Sequence, residues 1–236
     1  EPQPFKKRAA PGAGVHLHFI LPDGLTQGME TENGFDYPAV PDRYLVTRLT
    51  IVKSTPDKPV ITHKSWILES SYVGRDNVGS ISIPEFSDKE NLCRYLGRTY
   101  PYENTAPTGE YLSKLTVLGA GTPYFAACYQ TCRSVFGFHD DLKDVKEGEL
   151  IYTVAGWYAD RKNSPLYGLT GTEYEEKLRE MVFCLGGGWR EENDSELLLH
   201  GAVFHVKWEG EDADYPTGRP EGAVRVALGY SSAEAL

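Results

Sequence analysis

The segment Tyr44–Lys53, YLVTRLTIVK, sets the tightest limit on what this chain can become. It alternates with a period of two, placing Leu45, Thr47, Leu49 and Ile51 on one face. That period matches the pleat of a strand and scatters apolar residues around any helix. Val60–Ser70 (VITHKSWILES) follows after a turn at Thr55–Lys58, so the two segments predict a hairpin. Glu149–Tyr158 (ELIYTVAGWY) and Leu197–Trp208 (LLLHGAVFHVKW) predict two further strands, the second with a bulge at Gly201. Shorter strands are expected at Val15–Leu21, Ser80–Pro84 and Ala223–Gly229.

Helical signals are few. Ser87 with Glu90 has the form of a capping box and predicts a short helix over Ser87–Leu96. Gly171–Cys184 predicts a longer one, capped by Thr172, with Tyr174, Leu178, Met181 and Val182 as its apolar stripe and Gly186–Gly188 as its stop. Residues 26–42 and 97–111 read as loops. Fifteen Tyr, 24 Gly and 15 Pro fit a protein of many short strands and turns. The fold class is mainly β, an antiparallel sandwich or open barrel with one or two helices, with α+β as the alternative. No fixed-period repeat and no clean internal linker divide the chain. Residues 1–14 read as an arm or linker, and 15–236 as a single domain. The opening EPQPFKKRAAPGAG has no initiator Met, and the closing Ser231–Glu234 has capping-box form, so the domain is expected to be excised from a longer chain.

A net charge of −10 argues against nucleic acid, whose phosphates need a basic face, and against a polybasic membrane surface. No run approaches the roughly 18 apolar residues of a membrane span. The four cysteines (Cys93, Cys128, Cys132 and Cys184) are expected to be free thiols in a reducing compartment, because a chain of 236 residues needs no staples. Cys128 and Cys132 lack the spacing of a redox or zinc pair and read as small buried apolar residues.

Several residues carry candidate chemistry. His16 and His18 would share one face of a strand, the arrangement in which two neutral imidazoles hold a divalent transition metal. His139 beside Asp140 and Asp141 suggests an imidazole–carboxylate pair. Arg43, after Pro41 and Asp42, is expected to pair in bidentate fashion with a carboxylate such as Asp140. His16, His18, Arg43, His139 and Asp140 therefore form the candidate site cluster. Trp157 and Trp189 are candidate stacking surfaces for a sugar ring, against the alternative that indoles such as these pack in the core. No nucleophile elbow, phosphate loop or dinucleotide fingerprint is present.

Four segments carry a resemblance: GVHLHFILPDGLTQG, YPAVPDRYLVTR, FAACYQTCRSVFGFHDDL and YTVAGWYADRKNSPL. They resemble motifs of the form HLHW-ALPDALT, VPNRWLVVR, VFGFHD and VGWYSDP in a group of long bacterial proteins with no assigned activity. WILESSY and LLHGAVFHVKW fit the same pattern, and the likeness covers most of residues 14–167. Phe19 stands where that pattern has Trp, and Cys128 where it has an aromatic. The resemblance implies a domain near the start of a large multidomain protein, with a distant association to phage-like contractile particles or other surface assemblies. The cysteine usage favours a reducing compartment, here the bacterial cytoplasm. The shared residues include His16, His18, Arg43, His139, Asp140, Trp157 and Asp160.

The expected function is a non-enzymatic structural or binding module without a cofactor. Its expected partners are the rest of its own chain, other protein subunits or a glycan. A metal-dependent enzyme using His16 and His18 is one alternative, and a carbohydrate-binding module is another.

Overall fold

The computed structural model describes residues 14–53, 58–74, 81–83, 94–104, 108–118, 135–181 and 199–210. Within them the chain is mainly β and antiparallel, with two α-helices and no closed barrel. The predicted hairpin is its centre. Strand β4 (Arg43–Lys53) pairs with β5 (Pro59–Gly74) in an unbroken register from Arg43 opposite Glu69 to Lys53 opposite Pro59. β10 (Gly148–Trp157) lies on the other flank of β4, from Glu149 opposite Ile51 to Trp157 opposite Arg43. β11 (Leu199–Trp208) extends the sheet beyond β10. β7 (Arg94–Pro101) and β6 (Ile81–Ile83) extend it beyond β5, giving the order β11-β10-β4-β5-β7-β6. The two-residue β8 (Glu110–Tyr111) also pairs with β5.

Alternation along β4 decides which face becomes core, and the choice is not the one hydrophobicity suggests. Tyr44, Val46, Arg48 and Thr50 are buried, while Leu45, Thr47, Leu49 and Ile51 are only half-buried. Trp66 and Leu68 of β5 and Leu150 and Tyr152 of β10 share the buried face. Burying side chains of this size stabilises by roughly 1.5–3 kcal/mol each. Close approach matters here: a Cβ on Gly156 of β10 would meet the Tyr44 ring at 2.6 Å, so the glycine makes room for the tyrosine. The inner face is covered by a ribbon of β1 (Val15–His18) and β9 (Gly137–Asp140), and by α1 (Asp23–Thr26) and α2 (Gly171–Glu180). Leu17, Leu25, Phe138, Leu178 and Met181 carry that cover into the core. A Cβ on Gly24 would meet the Met181 carbonyl oxygen at 2.0 Å, so α1 sits hard against the end of α2.

Several expectations need correction. Arg94–Leu96 belongs to β7, not to a helix, because the local capping signal yields to strand pairing and to full burial of Leu96; residues 87–93 lie outside the described residues. The 97–111 segment is not all loop, since it holds the rest of β7 and β8. The 26–42 segment contains a hairpin of β2 (Met29–Thr31) and β3 (Gly34–Asp36), joined by Glu32 and Asn33, with Gly34 at φ +122°. Gly34, at the last position of the Thr31–Gly34 turn, was the available signal for it. The first strand stops at His18, and Pro22–Gln27 turns through α1 instead. The N-cap of α2 is Thr170, with no side-chain cap bond, rather than Thr172. The bulge in β11 falls at Phe204–His205, which together oppose Ile151, and not at Gly201. His205 takes φ +59° there. The four cysteines, Val182, Gly186–Gly188, Trp189 and the strand expected at Ala223–Gly229 lie outside the described residues.

Candidate functional site

The ribbon that covers the inner face also sorts the candidate residues. β1 and β9 pair with His16 opposite His139 and Leu17 opposite Phe138. Residues opposite one another point the same way, so His16, His18 and His139 share the side away from the core. The His16 and His139 rings stack with centroids 4.0 Å apart and planes 12° from parallel. Burial and the neighbouring His16 lower the His18 pKa. Stacked rings aim their nitrogens along parallel planes rather than at a common point. Among the described residues, no group of three or more His, Cys, Asp or Glu side chains is arranged to hold a metal ion.

Asp140 points the other way, into the sheet, and is buried. Its Oδ2 accepts from Arg48 Nη1 at 2.7 Å and from the Tyr152 hydroxyl at 2.8 Å. Its Oδ1 accepts from the Leu142 backbone N–H at 3.2 Å, which holds buried Leu142 in a left-handed turn at φ +52°. The other arm of Arg48 donates to Asp144 Oδ2 at 2.6 Å, and Lys64 Nζ donates to the same oxygen at 3.1 Å. Arg48 is thus a fork that clamps the 140–144 turn onto the sheet. Burial would raise the Asp144 pKa, yet hydrogen bonds from Arg48 and Lys64 hold it down at about 2. Burial and the adjacent Asp140 carboxylate push the Tyr152 hydroxyl pKa far up, so it stays a donor.

Arg43 does not reach Asp140. Arg43 and Arg48 have opposite parity on β4 and so leave the sheet on opposite faces. Arg43 Nη1 donates to Asp42 Oδ2 at 2.9 Å, to the Asp42 carbonyl at 3.0 Å and to Ser71 Oγ at 2.9 Å. Its guanidinium lies 4.6 Å above the Tyr111 ring, and its Nε is 3.6 Å from Glu69. Asp42 ties three elements: its Oδ2 accepts from Ser71, its Oδ1 from the Ala159 N–H, and its own N–H donates to the Trp157 carbonyl. Beside it, Glu69 and Arg98 form a second buried pair through Arg98 Nε. The Tyr100 and Tyr111 hydroxyls donate to the same carboxylate at 3.3 and 3.2 Å. Burial and Glu69 raise both tyrosine pKa values. Arg98 also lies 4.0 Å over the Tyr72 ring.

The five cluster residues therefore divide among three settings. His16, His18 and His139 stand together, Asp140 backs onto Arg48, and Arg43 joins Asp42 and Glu69. Trp157 sits across from Arg43 in the register and is partly exposed. Arg48, Glu69 and Arg98 were not singled out from sequence. The available signal was a charge inside an otherwise apolar strand, as in YLVTRLTIVK and WILESSY.

Taken together, the described residues define an open antiparallel sheet whose buried charges, on both faces, are neutralised by one another. No family model, no curated protein and no solved structure matches the chain. Among the described residues, no helix is long and apolar enough to cross a membrane.

Proposed function

We propose that this chain is a non-enzymatic structural or binding module of a larger bacterial protein, of the kind that builds surface or phage-like assemblies. One observation carries the reading. The unusual charged residues are spent on each other: Arg48 on Asp140 and Asp144, Arg98 on Glu69, Arg43 on Asp42. A catalytic carboxylate needs a face open to substrate, whereas Asp140 has its oxygens engaged by a guanidinium, a phenol and a backbone N–H beneath a packed ribbon. Such pairs position loops, and removing one partner is costly because the other stays buried.

The competing reading as a metal-dependent enzyme requires His16 and His139 to unstack before they face one ion. Elemental analysis of protein purified without metal-affinity steps, followed by thermal melts with zinc or manganese, separates the two. The module reading expects no stoichiometric transition metal and no rise in Tm. A stoichiometric metal that stabilises the fold and is lost in His16→Ala overturns it.

A further inference from the structure

One end of the outer sheet face gathers aromatic rings around paired charges. Trp157, Arg43, Glu69 and Arg98 stand in one row across β10, β4, β5 and β7. Opposed residues share a face, so all four leave the sheet on its outer side. The Arg43 guanidinium lies over the Tyr111 ring, which is 36% exposed, and Tyr100 follows Arg98 two places along β7 on the same face. Two donors in this row are not used by the fold. Arg43 spends Nη1 on Asp42 and Ser71 and turns Nε toward Glu69, which leaves Nη2 without an acceptor among the described residues. The Trp157 Nε1–H has no acceptor among them either. Thr50 Oγ1 is the only buried side-chain polar atom without a partner among the described residues, so both nitrogens reach solvent.

We infer that this row binds a neutral polysaccharide: one hexopyranose stacks on Trp157 with a hydroxyl oxygen accepting from Arg43 Nη2, and a hydroxyl of the next unit accepts from the indole N–H. The inference rests on the module reading and names its ligand class. Chemistry supports it. The C–H face of a pyranose suits an aromatic ring, and a few placed donors fix its orientation. Charge selects a neutral ligand. Arg43 is cancelled by Asp42 and Arg98 by Glu69, so the row offers an anion no net attraction. The chain's net charge of −10 repels anions at longer range. Dimensions support it as well. Three strand spacings of about 4.8 Å make the row roughly 14 Å long, room for more than one sugar unit on a sheet face without walls.

Calorimetric titration of the whole chain with cellohexaose, maltohexaose, mannohexaose and chitohexaose, and with hexagalacturonate as the charged counterpart, tests the inference. At least one neutral oligosaccharide is expected to bind, with an affinity that does not change between about 50 and 500 mM salt. Trp157→Ala is expected to raise its dissociation constant at least about tenfold. Arg43→Lys is expected to raise it about fivefold, because lysine lacks the second terminal nitrogen of the guanidinium. Val203→Lys, on the β11 edge, should leave it unchanged. Should Trp157→Ala fail to fold, hydroxyl-radical footprinting of the unaltered chain, read by mass spectrometry, reports the same contact. Protection of Trp157 and Tyr111 by the bound oligosaccharide supports the proposal. Silence with all four neutral oligosaccharides overturns it. So does tighter binding of hexagalacturonate, an affinity that Trp157→Ala leaves intact, or a footprint that omits Trp157. Cleavage of a bound oligosaccharide would keep the site and overturn the non-enzymatic reading, so the two fail separately.

Discussion

Two arginines on one strand met different fates. Arg48 leaves β4 toward the core and is about as buried as the Val and Tyr beside it. Arg43 leaves it on the outer face and retains 13% side-chain exposure. Arg48 is held by carboxylates 92 and 96 positions further along the chain. Arg43 leans first on its sequence neighbour Asp42. The first arrangement docks a distant segment, and the second trims the junction of neighbouring strands. Burial depth and sequence separation together decide how much of the fold depends on each.

Arg48→Ala is the largest test of that contrast. It strands Asp140 in the core without its cation, and losses of this kind cost about 3–5 kcal/mol. Urea unfolding should show that drop. Arg48→Met with Asp140→Leu and Tyr152→Phe should recover part of it, because the apolar set removes the buried charges and the Tyr152 hydroxyl together and leaves only the Leu142 N–H without its acceptor. A loss below about 1 kcal/mol for Arg48→Ala would mean that the ribbon docks through Leu17 and Phe138 alone.

Arg43→Ala comes next, with an expected loss of about 1–2 kcal/mol, since Asp42 keeps its bonds from Ser71 and Ala159 and water reaches the site. A loss equal to that of Arg48→Ala would erase the distinction between the faces.

The rim of the inner cluster gives a pH signature. Asp144 has a folded pKa of about 2, below the unfolded value near ~4. Its contribution is therefore fully present above about pH 4 and fades as pH falls toward 2. Because its side chain is 43% exposed, solvent screening reduces that contribution to about 1 kcal/mol. Asp144→Asn should flatten the acid limb of the stability profile by that amount. An unchanged limb would remove Asp144 from the clamp.

These contrasts also show what was legible in the sequence. The central strands and α2 follow from periodicity, which local residues set. The inward face of β4 does not: Leu45, Leu49 and Ile51 form the more apolar set, yet Tyr44, Val46, Arg48 and Thr50 are buried. The cover comes from β1, β9 and α2, and no pattern within β4 records where those elements dock. The same reason hid the partner of Asp140. Arg43 lies next to Pro41-Asp42 in the sequence and draws the eye, but strand parity places it behind the sheet. Ser87–Leu96 misled because its helix signal is local while β7 is held by β5 and β6. The His16–His139 stack was half visible, since period two put His16 and His18 together and only cross-strand register brought His139 to them.

The smallest effect concerns two residues with left-handed backbone, Leu142 at φ +52° and His205 at φ +59°. This conformation costs a non-glycine residue roughly 1 kcal/mol, which Gly would relieve. At His205 the exposed ring gives up only a contact with Glu149, so His205→Gly should be neutral or stabilising by up to about 0.5 kcal/mol. At Leu142 the same relief is outweighed by the loss of a fully buried side chain worth roughly 1.5–3 kcal/mol, so Leu142→Gly should destabilise. Opposite signs in paired urea titrations would show that burial of the Leu142 side chain outweighs the strain of its backbone, whereas nothing offsets that strain at His205. Destabilisation at both positions would mean that the His205–Glu149 contact is worth more than the strain it imposes.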